Sequence, residues 1–329
     1  MPSSFNSLSK QKIRNDWGKP IIEFITTQLG KKLFYLGLPA SEAEDIHTWI
    51  EYLYKVYAFQ CRQYPEPSDD TQSRDEILKL ENNLLTLERT KKIETFEVFD
   101  GYIEEVLING KDNSPNTKDY KQDEVVTLYN LDFCNQITEP QKFFNKEGEE
   151  SFAFKMDALK KLIEFQSAIA TESTKFLLFL TIHSGYSGAA LHDFTQNPPS
   201  NALADYFNKL AVLTPPERKK RILRAFVHEN LKSIFSHFGF STEFLPTIHY
   251  TGNKNFKLLH FTAIGTKLPP SAGGAIVFQR VENLIRQRFL GIVDESFRNL
   301  SSDIEETNVN SVNPVTIFRN SRTFKRLWQ

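Results

Sequence analysis

The chain has 329 residues, a formal net charge of −1 and 28 phenylalanines. That length allows one large domain with extensions or two smaller ones, and the near-zero charge excludes a whole-protein pull toward nucleic acid or an acidic membrane. Two cysteines, Cys61 and Cys134, exclude a disulfide framework, and the longest apolar run in a strand-like segment, Phe176 to Leu180, is too short to span a bilayer. Residues 1–16 hold no apolar stretch of the secretory type, so the sequence predicts a cytoplasmic protein without membrane attachment.

Gln11 to Leu29 reads as a helix, with Ile21, Ile22, Phe24, Ile25 and Leu29 at its apolar positions. Lys32 to Gln60 reads as strand, turn, helix and strand. Leu33 to Leu38 is the first strand, and Pro39 is suited to open the helix. Ile46, Trp49, Ile50 and Leu53 supply the buried stripe of that helix, and Val56 to Phe59 has the short apolar character of a central parallel strand. Tyr64 to Ser73 is polar and leads into a helix over Arg74 to Lys92, striped by Ile77, Leu80, Leu84 and Leu87. A third strand, Thr95 to Phe99, ends at Asp100-Gly101. Tyr102 to Ile108 fits a short helix or a further strand, and residues 109–123 read as a surface loop.

The fourth strand, Val125 to Leu131, ends at Asp132 and is followed by a polar loop and a helix over Lys155 to Ala170. The fifth, Phe176 to Ile182, ends at His183. Residues 185–199 read as a Gly-, Ser- and Pro-rich loop, and Pro216 to Phe238 as a long helix. Phe244 to Tyr250 and Lys257 to Ile264, joined by a turn at Thr251-Gly252-Asn253, read as an antiparallel hairpin. Pairing Tyr250 with Lys257 there sets His260 opposite Thr247 rather than His249. A helix over Phe278 to Phe289 and a polar tail close the chain. No repeat is apparent, and neither the histidines nor the cysteines have metal-site spacing. The basic clusters, Arg218 to Arg224 and the residues Arg319, Arg322, Lys325 and Arg326, read as a solvated helix face and a basic tail.

Strands alternating with helices predict an α/β fold: a Rossmann-like, seven-stranded, mostly parallel sheet with helices on both faces and a C-terminal antiparallel hairpin. The expected division is an N-terminal helical extension over 1–30, the α/β domain over 31–268, and a helix with polar tail over 269–329. Ligands of open α/β sheets bind beyond the carboxyl ends of the strands near the switch in strand order. The candidates are therefore Gly37 and Leu38 after the first strand, Gln60 after the second, Asp100 and Gly101 after the third, and Asp132 with Asn130 and Asn135 around the fourth. His183 follows the fifth. Each also has a plainer reading: a strand-to-helix turn at Gly37, a polar strand cap at Gln60, a common Asp-Gly turn at Asp100, a loop cap at Asp132, and a satisfied structural histidine at His183.

This order of elements, over Lys31 to Lys267, resembles the class I S-adenosylmethionine-dependent methyltransferases, whose last strand is inserted antiparallel through such a hairpin. Leu131-Asp132-Phe133-Cys134-Asn135 resembles the corresponding turn of the three-Cys-motif partner proteins and related bacterial methyltransferase-like proteins, without that turn's proline and glycine. The resemblance implies S-adenosylmethionine as cofactor. Gly37 and Leu38 would pass its methionine part, with the following helix N-terminus open to its carboxylate. Gln60 would stand where the family places an acid on the ribose, and Asp100 and Gly101 would lie at the adenine. Asp132 and His183 would be the catalytic candidates, and Asn130 and Asn135 would line the side of an unspecified methyl acceptor. The alternative is a catalytically inactive relative, a nucleotide-binding or protein-interaction subunit such as a bacterial defence system would use, with a protein or nucleic acid as partner. Gln60 and the single Gly37 favour that alternative; Asp100 and Asp132 favour the enzyme.

Overall fold

The computed structural model describes residues 7–60, 70–133, 136–144, 149–185, 189–252, 256–269, 304–305 and 314–315. Its centre is a sheet built from β1 (Leu33–Gly37), β2 (Leu53–Gln60), β3 (Thr95–Asp100), β4 (Leu128–Asp132), β7 (Lys175–His183), β8 (Phe240–Phe244), β9 (Ile248–Thr251), β10 (Lys257–Lys267) and the two-residue β11 (Ile304–Glu305). The order is β11-β9-β10-β7-β4-β1-β2-β3, with β8 also on β10. β1, β2, β3, β4 and β7 run parallel, whereas β10 is antiparallel to β7, β8 and β9. The expected penultimate strand is thus split into β8 and β9. Pro246 lies in the break and lacks the N–H needed to continue the ladder.

All five residues of β1 are buried, as a strand covered on both faces requires. On one face Phe34, Leu36, Phe59, Phe99 and Leu180 pack under α5 (Ile103–Asn109), α6 (Lys155–Ile169) and α9 (Pro215–His237). On the other, Leu33, Tyr35, Val56 and Phe179 pack under α3 (Glu44–Trp49), α4 (Asp70–Arg89) and the N-terminal helical segment. That segment comprises α1 (Leu8–Lys12), a π-helical stretch Ile13–Gly18 and α2 (Lys19–Leu29). Trp17 is fully buried in it, and its indole N–H donates to Thr262 Oγ1 of β10 at 2.9 Å.

Several local expectations are corrected. The helix after β1 begins at Glu44, not Pro39, and ends at Trp49 in a 3₁₀ turn Ile50–Tyr52, so Leu53 opens a strand instead of closing the helical stripe. Tyr102 to Ile108 resolves as helix α5. The loop 109–123 carries the buried Asp112 and Tyr120 and is no plain surface loop. The loop after β4 holds a small hairpin, β5 (Pro140–Phe144) with β6 (Glu150–Phe154), and residues 185–209 hold α7 (Ala189–Gln196) and α8 (Asn201–Lys209). Lys257 pairs with Thr251, one residue off the expected register, which puts His260 opposite Ile248; His260 and His249 still do not face one another. The helix expected over Phe278 to Phe289 and the basic tail lie outside the described residues.

Candidate functional site

The chain crosses from one side of the sheet to the other between β1 and β4, which makes the carboxyl ends of these neighbours the switch point. Gly37 there pairs with Asn130, and Gln60 pairs with Asp100. Asp132 pairs with Thr181, which in turn pairs with His260. The candidates therefore share one edge of the sheet. Asn135 lies outside the described residues.

At the switch point the chain fills its own crevice. Tyr35 and Asn130 both donate to Asp45 Oδ2 of α3, the tyrosine hydroxyl at 2.5 Å. Asp45 is buried, and Leu38 N–H donates to the Asn130 carbonyl at 3.0 Å. A Cβ on Gly37 would overlap that carbonyl and the Tyr35 ring, so this glycine serves the chain's own packing. Burial first, then the Asp45 charge, holds the Tyr35 phenol well above its ordinary pKa, so the ring keeps the proton it donates. Tyr35→Phe would leave the buried carboxylate one donor short, at a cost of about 1–3 kcal/mol. The urea midpoint would register that loss, and an unchanged midpoint would mean that the contact carries no stability.

Along β3, Asp100 is 5 % exposed, and its peptide N–H donates to Asp112 Oδ2 at 3.2 Å. The other oxygen of Asp112 accepts from Ser114 Oγ at 2.8 Å and Lys118 N at 2.7 Å, which folds residues 112–118 over the strand end. Gly101 has φ +137°, a conformation open to glycine, and donates to the Gln60 carbonyl at 3.1 Å. Burial raises the Glu105 pKa, and the nearby Asp100 charge adds to the shift.

Asp132 is ion-paired with Lys10 of α1, their side chains being 28 % and 16 % exposed. Thr181 Oγ1 lies 2.9 Å from His260 Nδ1, and burial lowers the His260 pKa to about 4 against the pull of Asp132. His183 Nδ1 accepts from Gly185 N–H at 3.0 Å, and its ring meets Phe256 edge-on at 5.1 Å. His183 thus holds its own turn together. Lys10, Tyr35, Asp45 and Thr181 were not marked by the sequence, and His260 was marked there only as a metal-ligand candidate that its register set aside. A tyrosine inside the apolar strand β1 was the one signal present, since a buried phenol needs a partner.

For S-adenosylmethionine the fit is divided. Gln60, Asp100 and Gly101 adjoin at the ends of β2 and β3, where a nucleoside would lie, with Gln60 half-buried and Asp100 and Gly101 buried. The expected carboxylate site at the helix after β1 does not match: α3 has six residues, and Glu44 and Asp45 already place two carboxylates in its first turn. Among the described residues no group of His, Cys, Asp and Glu could hold a metal ion. No described helix is long and apolar enough to cross a membrane.

The strand order with its antiparallel β10 defines a class I methyltransferase-like Rossmann fold. A family model described as PP_RS20740-like matches residues 9–196, more than half of the chain, and the chain belongs to that family. No curated protein matches. Similar solved structures include a putative O-methyltransferase from Klebsiella pneumoniae, at 7% identity over 80% of this chain and 90% of that one, with TM-score 0.36. Another is the magnesium protoporphyrin IX methyltransferase of Synechocystis with bound SAM, at 7% identity over 80% and 88%, TM-score 0.36. The arsenic(III) S-adenosylmethionine methyltransferase of Chlamydomonas reinhardtii matches at 9% identity over 73% and 65%, TM-score 0.38.

Proposed function

We propose that the chain is an S-adenosylmethionine-dependent methyltransferase of bacterial type with its site along the carboxyl edge of β1 to β7. The observation that carries this reading is the placement along one edge of the sheet of the paired strand ends Gln60 and Asp100 and, across the switch point, of the partly exposed carboxylate of Asp132. Gln60 and Asp100 would hold the nucleoside. The bound cofactor would supply an activated methyl group, leaving the protein chiefly the alignment of donor and acceptor, up to about 7–11 kcal/mol in the best-oriented cases. Asp132 orients the acceptor or takes its proton, and His183, through its bond to Gly185, shapes the turn beside it.

The buried Asp45 carboxylate in the switch-point crevice favours a second reading, an inactive relative that keeps the fold as a nucleotide-binding or protein-interaction subunit. Calorimetry with S-adenosylmethionine and S-adenosylhomocysteine separates the two. Saturable binding, weakened about tenfold by Asp100→Asn, is the expected result. No heat at millimolar ligand would sink the enzyme reading. Binding without transfer to protein, nucleic acid or small-molecule acceptors would leave the second.

A further inference from the structure

The carboxylate at the end of β4 already holds an alkylammonium, that of Lys10. The lysine is delivered by a short helix, α1, whose Leu8 is 78% exposed, while the following Ile13 and Trp17 are buried. Two indole bonds fix the π-helical stretch behind it: Trp17 to Thr262 at 2.9 Å, and Trp49 Nε1 to the Arg14 carbonyl at 3.1 Å. The segment is thus anchored from Ile13 onward, and the α1 turn before it lies across the strand end with Leu8 exposed and Ser9 buried. In the same row His260 is kept uncharged by burial, and Thr181 is taken up by His260, so neither brings a positive charge to Asp132.

We propose that Lys10 occupies the acceptor position of this site, and that the acceptor is a primary alkylammonium of the lysine side-chain type which displaces Lys10 from Asp132. The reaction rests on the methyltransferase reading; the binding does not. For transfer, the displaced-in ammonium gives up one proton through Asp132 to water. With S-adenosylmethionine bound, the nitrogen lone pair so freed would form the N–C bond to the methyl group as the C–S bond breaks and its electron pair returns to sulfur. The products would be a methylammonium and a neutral thioether.

The test titrates Nα-acetyl-lysine methylamide and its uncharged norleucine analogue into the full chain without cofactor. The lysine compound should bind the wild type weakly, bind Lys10→Met about tenfold more tightly, and show no saturable binding to Asp132→Asn. The norleucine compound should bind none of them. Amides of residues 8–12 should exchange faster in the wild type when the lysine compound is bound, a readout that does not depend on any variant folding. Equal binding of both compounds, no binding to Lys10→Met at millimolar concentration, or unchanged exchange would each overturn the proposal. If the lysine compound binds and S-adenosylmethionine does not, the methyltransferase reading falls while the ammonium site stands; the reverse outcome overturns the ammonium site alone.

Discussion

Trp17→Ala is expected to lower the unfolding free energy by about 3–5 kcal/mol. The side chain is fully buried among Ile13, Ile21 and their neighbours on the face of the sheet that carries Leu33, Tyr35 and Phe179. Removing the indole opens a cavity between the N-terminal segment and the sheet, and withdraws the donor from Thr262 Oγ1. Trp17→Phe keeps much of the ring volume and loses the N–H, so it should cost less, with about 1–3 kcal/mol from the hydroxyl left without that donor. Urea denaturation with unchanged slope checks both variants. A wild-type midpoint in Trp17→Ala would show that residues 8–29 unfold apart from the sheet, which would also remove the anchor that carries Lys10 to Asp132.

The second large effect is acid sensitivity centred on His260. Its pKa falls from 6.5 to about 4 in the folded protein because burial disfavours the imidazolium, with Asp132 pulling weakly the other way. The unfolded chain therefore binds this proton first as pH falls. The contribution of His260 to stability is complete above pH 6.5 and is lost as the pH falls to about 4, in all about 3 kcal/mol. The groups around it are Thr181, Thr262, Phe179 and Asp132, the last ion-paired with Lys10. His260→Asn keeps an acceptor toward Thr181 and removes the titration. Its urea midpoint should decline less between pH 6.5 and pH 4 than that of the wild type. Parallel declines would assign the acid sensitivity to other groups.

The sequence made the layers legible where apolar periodicity was strong. Ile77, Leu80, Leu84 and Leu87 predicted α4, and all four are buried. Phe176 to Ile182 predicted β7 within one residue at each end. The antiparallel pairing of β9 with β10 was also legible, from two β-prone runs joined by a Gly-Asn turn. Short or irregular elements were not. Helix α3 has only six residues, so four apolar positions spanning its end and the next strand mimicked a longer stripe. The hairpin β5–β6 and the helices α7 and α8 are short, too short for their apolar positions to stand out from the polar, Gly-, Ser- and Pro-containing sequence around them.

The site divides along the same line. Local sequence determined which residues end the strands: Gly37, Gln60, Asp100, Asp132 and His183 follow apolar runs, and the period of those runs suffices to put them at one edge of a parallel sheet. Their partners were decided only in three dimensions. Asp45 reaches Tyr35 and Asn130, and Lys10 reaches Asp132 across 122 positions of the chain. No spacing encodes such contacts, because they arise when helices from distant segments pack on one face of the sheet and bring buried or half-buried charges within reach of compensation. The strand ends belong to the sequence, and the occupancy of the crevice between them belongs to the packing.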